Sequence, residues 1–439
     1  MLKMKAIVGV AVCTMSFPGR TNAFVQQSSP ALCPRKTSAG NNMLIAPHHQ
    51  PRARPHWATA ATVSMTGETI DGDKNNLPRV LCHGEILFDC IANPEAAGWD
   101  LEKVEESGAW KAYPGGAPAN VACALVKLGV PASFVGAVGR DEEGDELLQV
   151  LESCGVETEL ASRVDDYPTR TVMVTRDMNG DRTFAGFGDR RPSDAFADCH
   201  NRLSETEDAA RGLLQPGSWL VQGTLGLAYP GSFESHVCLA KWAKEAGAVR
   251  FLDINWRPVF WELAVAEEGE MEGPSDYEDL ARERISAFSQ TADVIKLTDE
   301  EAEWLCGIPG DEAFRDPACL RSYFPAAQAI LVTAGENGAA YSVGGQTGSV
   351  PVFKTVDIVE TTGAGDAFSA GFISEAIKHL SASPPPSPRS LSSSPPDPAD
   401  MPLLGLEEVG TGAGGAVERE GVRGVVRFAS AVGALTCCG

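Results

Sequence analysis

Residues 360–371 read Glu-Thr-Thr-Gly-Ala-Gly-Asp-Ala-Phe-Ser-Ala-Gly, a run of small residues that leads into a helical pattern. Small residues at a strand-to-helix turn let backbone N–H groups approach an anion, and the helix start adds its positive end. Asp366 lies at that start, where an ionised carboxylate can take a proton from an attacking alcohol. The N–H groups of Gly363, Ala364, Gly365 and Asp366 would stabilise charge on a transferred phosphoryl group. Read alone, the run fits a glycine-rich turn with an aspartate N-cap equally well.

A second glycine-rich segment, residues 115–122, opens another predicted helix far upstream and reads Gly-Gly-Ala-Pro-Ala-Asn-Val-Ala. Gly115 and Gly116 permit close backbone approach to a ligand, and the Asn120 amide can both donate and accept hydrogen bonds. In this order along the chain, the two segments resemble the paired signatures of the ribokinase-like (PfkB) sugar kinase family. The resemblance runs from about residue 77 to residue 439.

Strand and helix signals alternate along this region, which predicts an α/β protein with a mostly parallel sheet. Val80–Phe88 reads as a first buried strand that ends in Asp89. Arg170–Arg176 and Arg182–Gly186 flank a turn rich in Asp, Asn and Gly, which predicts a hairpin in a separate small sheet. Further segments have helical apolar spacing, namely Ala119–Leu128, Ala367–His379 and Val422–Leu435.

The family resemblance implies a fold and a domain organisation. The expected fold is a three-layer α/β/α sandwich with a small β-sheet lid, formed by about residues 91–113 and 163–187. We expect the kinase domain to span residues 77–439. A Pro/Ser/Gly-rich insertion at about 381–421 interrupts it, and we expect that insertion to be disordered.

On the sugar side, the resemblance implies five substrate-binding residues. A carboxylate such as Asp89 suits vicinal hydroxyls because it accepts two hydrogen bonds. Two structural interpretations stay open: Asp89 as a turn cap, and Arg170, in Pro-Thr-Arg-Thr, as an exposed hairpin arginine. The implied sugar ligands are Asp89, Gly115, Gly116, Asn120 and Arg170.

On the nucleotide side, three further blocks match the family: residues 253–258 (Asp-Ile-Asn-Trp-Arg-Pro), 296–301 (Lys-Leu-Thr-Asp-Glu-Glu) and 331–338 (Leu-Val-Thr-Ala-Gly-Glu-Asn-Gly). The resemblance implies that Glu301 acts on Mg²⁺ through water, which suits an ion that keeps several waters. An acidic helix start is the competing interpretation of Glu301. The implied ATP-binding residues are Asn255, Lys296, Thr333, Gly335 and Gly338.

Three positions depart from the family pattern. The signature usually begins with Asp where this chain has Glu360, a position that helps to hold a monovalent cation in the family. Activation by K⁺ is therefore left open by the sequence. Thr298 stands where many members have Asn. The chain stops at Gly439, where relatives usually continue beside the adenine, which is consistent with a truncated or mis-spliced gene model.

The charge distribution separates a leader from the folded body. The formal net charge is -23, yet residues 1–67 contain no Asp or Glu. Residues 1–23 read as a signal peptide, and 24–76 as a transit segment rich in Ser, Pro, Ala and Arg. This arrangement resembles the bipartite presequence of algae with secondary plastids, so we expect a plastid protein. Secretion, or an unstructured tail on a cytoplasmic protein, is the alternative.

The resemblance is strongest to fructokinases, and it implies ATP-dependent conversion of fructose to fructose 6-phosphate. Kinases for ribose, a nucleoside or a 2-keto-3-deoxy sugar acid share this chemistry, and the sequence does not separate them. A non-catalytic fructokinase-like plastid binding protein is the alternative from another class. The strongly acidic charge argues against nucleic acid and against an anionic membrane as partners of the mature protein. The resemblance also implies a homodimer formed through the lid.

Overall fold

The computed structural model describes residues 77–436, except for 179–181, 202, 269–273, 354–361 and 383–420. The predicted presequence, Glu360 and nearly all of the predicted insertion lie outside the described residues. Within the described ranges, no helix is both long and apolar enough to cross a bilayer.

The described residues form thirteen strands. They are β1 (Val80–His83), β2 (Leu87–Ala92), β3 (Trp110–Gly115), β4 (Ala132–Gly139), β5 (Glu157–Val164), β6 (Thr171–Arg176), β7 (Arg182–Phe187), β8 (Trp219–Gln222), β9 (Val249–Asp253), β10 (Val294–Thr298), β11 (Ala329–Thr333), β12 (Ala339–Val343) and β13 (Gln346–Val350).

Eleven α-helices accompany these strands in the same ranges. They are α1 (Leu101–Ser107), α2 (Ala117–Lys127), α3 (Glu142–Cys154), α4 (Glu207–Leu213), α5 (Pro230–Ala246), α6 (Pro258–Glu268), α7 (Pro274–Ser289), α8 (Asp299–Cys306), α9 (Gly310–Arg315), α10 (Ala364–Ala382) and α11 (Gly421–Thr436).

Nine strands form the larger sheet, in the order β13-β12-β11-β10-β9-β8-β1-β4-β5. The pairs from β11 to β5 are parallel, and the pairs β11–β12 and β12–β13 are antiparallel. Helices cover both faces: Val80 and Cys82 of β1 pack with α2, α10 and α11, whereas Leu81 packs with α4 and α5. The predicted three-layer α/β/α fold with a mostly parallel sheet is confirmed.

The predicted single strand Val80–Phe88 is wrong, because the chain divides it between two sheets. β1 ends at His83, and β2 begins at Leu87 in the small sheet, so Asp89 lies inside a strand and not at its end. The break falls at Gly84, where a Cβ would lie 2.6 Å from Cγ of Pro118. Close packing of helix α2 against this turn therefore requires glycine.

The small sheet has the order β3-β2-β6-β7. Strands β6 and β7 pair antiparallel, so the predicted hairpin in a separate small sheet is confirmed. This sheet begins at Leu87, before the predicted lid boundary at residue 91, and Arg163 belongs to β5 of the larger sheet. The boundaries differ because the small sheet takes all of β2, and because β5 pairs with β4 in the larger sheet.

Close packing of α10 on α11 yields a first prediction, since a Cβ at Gly371 would lie 2.9 Å from Cα of Ala429. We expect Gly371→Ala to lower the free energy of unfolding by about 1–3 kcal/mol, because overpacking forces the helices apart. Its measure is the midpoint of urea unfolding. Gly212→Ala, in α4 with no atom within 4 Å, is the matched control and should not be destabilised. Equal midpoints for the two variants would contradict the packing.

Candidate active site

The turn that carries Asp366 lies at the start of helix α10. The helix begins at Ala364, as predicted, and the Ala367 N–H donates to the Gly363 carbonyl at 2.9 Å. Gly363 has a φ of 78°, a conformation that few other residues adopt. The first N–H groups of a helix have no partner within it and point at any anion placed before them. The turn can therefore bind a phosphate group.

Asp366 is held from the opposite side of the site by helix α2. Nδ2 of Asn120, in the first turn of α2, donates to Oδ2 of Asp366 at 2.9 Å. Burial raises the pKa of Asp366 to about 6; Asn120, Lys296 and Arg257 act in the opposite direction, and Asp253 adds to the rise. The carboxylate is consequently ionised near neutral pH and is still basic enough to accept a proton.

Asp89 lies beside the glycines that precede α2. A Cβ at Gly115 would lie 2.5 Å from Oδ2 of Asp89, and one at Gly116, whose φ is 104°, would lie 2.4 Å from the Glu85 carbonyl oxygen. Burial raises the pKa of Asp89 to about 6, against the charges of Arg182 and Arg257. Because the two glycines have no side chains, the Asp89 carboxylate and the Glu85 carbonyl can lie directly against the backbone that precedes α2. The structure places these predicted sugar ligands on the same side as Asn120.

Arg170 lies away from these residues. It is buried in the interior, directly before strand β6 of the small sheet. Its side chain is fully buried, with Nε donating to Oδ2 of Asp198 at 2.7 Å and Nη2 to the Ser193 carbonyl at 2.8 Å. Its guanidinium packs against the rings of Phe187, Phe196, Tyr229 and Phe260. The structure does not bring Arg170, predicted as a sugar ligand, into the group around Asp366, and its burial also rules out the alternative of an exposed hairpin arginine.

Lys296 lies directly beneath the Asp366 turn. Its Nζ is 3.0 Å from both carboxylate oxygens of Asp253, and a Cβ at Gly365 would lie 3.1 Å from the same Nζ. Burial opposes the charge on Lys296, but Asp253, Glu301 and Asp366 outweigh it and raise the pKa of the ammonium. The position under the turn places a fixed positive charge near any phosphate bound there. Asp253 was a member of a family block in the sequence, but its pairing with Lys296 needs the parallel pair β9–β10.

Glu301 holds the turn after β9 in place. Its Oε1 accepts from the Trp256 N–H at 2.6 Å, and its Oε2 accepts from the Thr298 N–H at 2.7 Å. The Thr298 hydroxyl accepts in return from the Glu301 N–H at 3.0 Å, which completes a capping box at the start of α8. Asn255 in this turn has a φ of 42°, an uncommon conformation for a residue other than glycine. These contacts are the ones expected from the competing interpretation of Glu301, in which it belongs to an acidic helix start.

Arg257 follows this turn and is a site residue to which the sequence analysis assigned no role. Its side chain is exposed, and its charge lowers the pKa of both Asp89 and Asp366. It therefore lies within electrostatic reach of the sugar side and of the base. The Asp-x-Asn-x-Arg block was the sequence signal that could have found it.

The predicted ATP-binding residues Thr333, Gly335 and Gly338 lie at the carboxyl end of β11. Thr333 pairs with Thr298 of β10, and the Ala334 N–H donates to the Gly338 carbonyl at 2.9 Å to close the turn. A Cβ at Gly338 would lie 2.2 Å from the Val350 carbonyl oxygen. This turn and the ends of β9 and β10 share one edge of the sheet, where open α/β folds bind ligands.

The contacts of Glu301 make its carboxylate a test of local structure. We expect Glu301→Gln to lower the free energy of unfolding by about 1–3 kcal/mol, because an amide NH₂ would face a backbone N–H donor. Thermal unfolding measures the loss. Glu300→Gln, an exposed neighbour in the same helical turn, is the control. If both variants unfold at the wild-type temperature, the two backbone bonds do not stabilise the turn.

Comparison with known proteins identifies the family of this chain. "Probable fructokinase-6, chloroplastic" of Arabidopsis thaliana is 34% identical over 355 residues, covering 78% of this chain and 85% of the relative. "Fructokinase-2" of Oryza sativa subsp. japonica is 36% identical over 299 residues, covering 68% and 80%. The crystal structure of a fructokinase with bound ATP from Xylella fastidiosa matches with a TM-score of 0.55 at 28% identity, covering 68% of this chain and 81% of that one. Residues 77–383 match the model of the pfkB family carbohydrate kinases. The chain therefore belongs to the pfkB carbohydrate kinase family, whose members transfer a phosphoryl group to an alcohol.

Proposed function

We propose that this protein transfers the γ-phosphoryl group of ATP to a primary hydroxyl of fructose, forming fructose 6-phosphate. The observation that carries the proposal is the 2.9 Å bond between Asn120 and Asp366, which sets a basic carboxylate at an anion-binding turn. The similar proteins named fructokinase support fructose as the sugar.

In this reaction, Asp366 is the general base. Its carboxylate takes the proton of the hydroxyl as that oxygen attacks the γ-phosphorus and the bond to ADP breaks. The N–H groups of Gly363, Ala364, Gly365 and Asp366 stabilise the negative charge on the transferred group. They are fixed before reaction and need no reorganisation, which is what makes such donors effective.

Asp89, Lys296 and Arg257 supply the other charges that this reaction needs. Asp89, with Gly115 and Gly116, binds the sugar hydroxyls and orients the primary hydroxyl toward Asp366. Lys296 is held by Asp253 beneath the turn and supplies positive charge on the phosphate side. Arg257, whose charge reaches both carboxylates, lies at the boundary between sugar and phosphate. The site therefore offers a proton acceptor and phosphate-binding donors to the same hydroxyl group.

The nucleotide and its metal fit the edge formed by β9, β10 and β11. Asn255, Thr333, Gly335 and Gly338 would bind ATP there, since their turns lie beside Lys296. Among the described residues, no group of three or more His, Cys, Asp or Glu side chains could hold a metal by itself. Mg²⁺ keeps several waters and binds largely through nucleotide phosphates, so Glu301, whose carboxylate oxygens accept from backbone N–H groups, would act on it through water. A role for K⁺ depends on Glu360, which lies outside the described residues.

Location and assembly are part of the same proposal. The leader, which has no Asp or Glu over residues 1–67, supports plastid import, and the first relative is itself named chloroplastic. Pairing of two chains through the small sheet would cover the outer side of β3, which is an edge strand of that sheet. Imaging of a full-length fluorescent fusion and light scattering of the purified protein test these two points separately.

Removal of the base is the direct test of the proposed function. We expect Asp366→Asn to lower turnover at least ~10²-fold, the scale for losing a general base. Fructose should still bind, because Asp89 and the glycines are unchanged. Coupled ADP release with a panel of fructose, ribose, a nucleoside and a sugar acid measures turnover, and calorimetry measures binding.

The control for this test is Asp311→Asn, an exposed carboxylate on α9 that pairs with Arg315. It removes the same charge far from the turn, and turnover should stay at the wild-type level. Near-normal turnover of Asp366→Asn would refute the assignment of the base. Wild-type turnover of another sugar in preference to fructose would refute the substrate alone.

The pKa of Asp366 predicts the pH dependence. Turnover at saturating fructose should fall as the pH decreases through about 6, where Asp366 becomes protonated. The Asn120 amide stabilises the ionised form, so Asn120→Ala should raise the pKa of Asp366 and move the acidic limb to higher pH. Asn93→Ala, at the turn directly after β2, serves as control. A limb that stays in place or moves to lower pH in Asn120→Ala would contradict the contact.

A further inference from the structure

The small sheet touches the catalytic turn through a side chain that the proposed mechanism does not use. Arg182 is the first residue of β7, and its Nη1 donates to Oγ1 of Thr362 at 2.9 Å. Thr362 directly precedes Gly363, the residue whose carbonyl accepts the first hydrogen bond of helix α10. The bond therefore joins an edge strand of the small sheet to the turn that carries Asp366.

The same arginine also acts on the sugar side of the site. Its positive charge lowers the pKa of Asp89, which lies on β2 of the same small sheet. Arg182 is thus within electrostatic reach of the sugar carboxylate while it contacts the phosphate-binding turn.

The opposite end of β7 is fixed differently. Phe187 packs in an apolar cluster with Phe196, Leu225 and Phe260 of the main body. Arg182 lies five residues away along an extended strand, or roughly 17 Å. One end of the strand is thus anchored by buried apolar contacts, and the other by a solvent-exposed polar contact that can break and re-form.

We propose that Arg182, through Thr362, is a positioning residue that keeps the small sheet closed on the catalytic turn during phosphoryl transfer. This inference rests on the proposed kinase function. The closed position of the small sheet excludes water from the catalytic turn. Water competes with the sugar hydroxyl for the γ-phosphorus, and its attack gives ADP and inorganic phosphate with no sugar phosphate.

The test measures how much ATP is hydrolysed for each fructose that is phosphorylated. We expect Arg182→Gln and Thr362→Val each to raise this ratio about tenfold, the scale for losing a hydrogen bond to a charged group. The KM for fructose should rise as well. Thr362→Ser keeps the hydroxyl and should restore wild-type coupling. Arg182→Gln combined with Thr362→Val should give a coupling ratio no worse than that of Arg182→Gln alone, because the first change already removes the bond to Thr362.

Arg190→Gln is the matched control, since Arg190 follows β7, is exposed, and pairs with Glu105 rather than with the catalytic turn. Its coupling ratio should be that of the wild type. A readout independent of turnover is amide hydrogen exchange of β7 with fructose and a non-hydrolysable ATP analogue bound. Exchange should be faster in Arg182→Gln and Thr362→Val than in the wild type and in Arg190→Gln.

Two results would overturn the inference. Unchanged coupling and unchanged exchange in both variants would show that the contact has no role in closure. A defect in Arg182→Gln with normal behaviour in Thr362→Val would mean that the arginine acts on another group. Both results are distinct from failure of the proposed function, which shows as normal turnover in Asp366→Asn.

Discussion

The hydrogen bond between Asn120 and Asp366 imposes the constraint on which the rest of the site depends. It requires the first turns of α2 and α10 to meet across the active site, although 246 residues separate the two side chains. Helix α2 reaches that position because Gly84 and Gly116 allow its start to lie against the turn after β1. Helix α10 reaches it because small residues let it pack closely on α11. Both helices therefore reach their positions because glycine has no side chain, and not because of any charged group.

Burial and the nearby positive charges shift the pKa values of the two site carboxylates in opposite directions. Burial raises the pKa of Asp89 and of Asp366, and nearby positive charges limit the rise, so that each pKa is about 6. Arg257 lowers both values, and Lys296 acts on Asp366 from beneath the turn. The result is two carboxylates that are ionised near neutral pH in a partly desolvated site. Such carboxylates bind hydroxyl groups and accept protons more effectively than they would in water.

The sequence predicted those parts of the protein that depend on local patterns. The β6–β7 hairpin and helices α10 and α11 follow from turn residues and apolar spacing, and the structure has them. The break between β1 and β2 could not be predicted, because its cause is contact of Gly84 with Pro118, a residue on a later helix. The burial of Arg170 likewise depends on Asp198 and on rings from several elements. The hydrogen bond from the Thr298 N–H to Glu301 could have been predicted locally, from the Thr-x-x-Glu capping pattern that begins at Thr298.

The most direct measurement is a crystal structure of the protein with fructose and a non-hydrolysable ATP analogue bound. In that complex, a carboxylate oxygen of Asp366 should lie about 2.6–3.2 Å from a primary hydroxyl oxygen of fructose, the reach of a general base. That hydroxyl should point at the γ-phosphorus, with Asp89 on the other sugar hydroxyls. A complex in which another carboxylate contacts the primary hydroxyl, or in which Asp366 only caps its helix, would contradict the account.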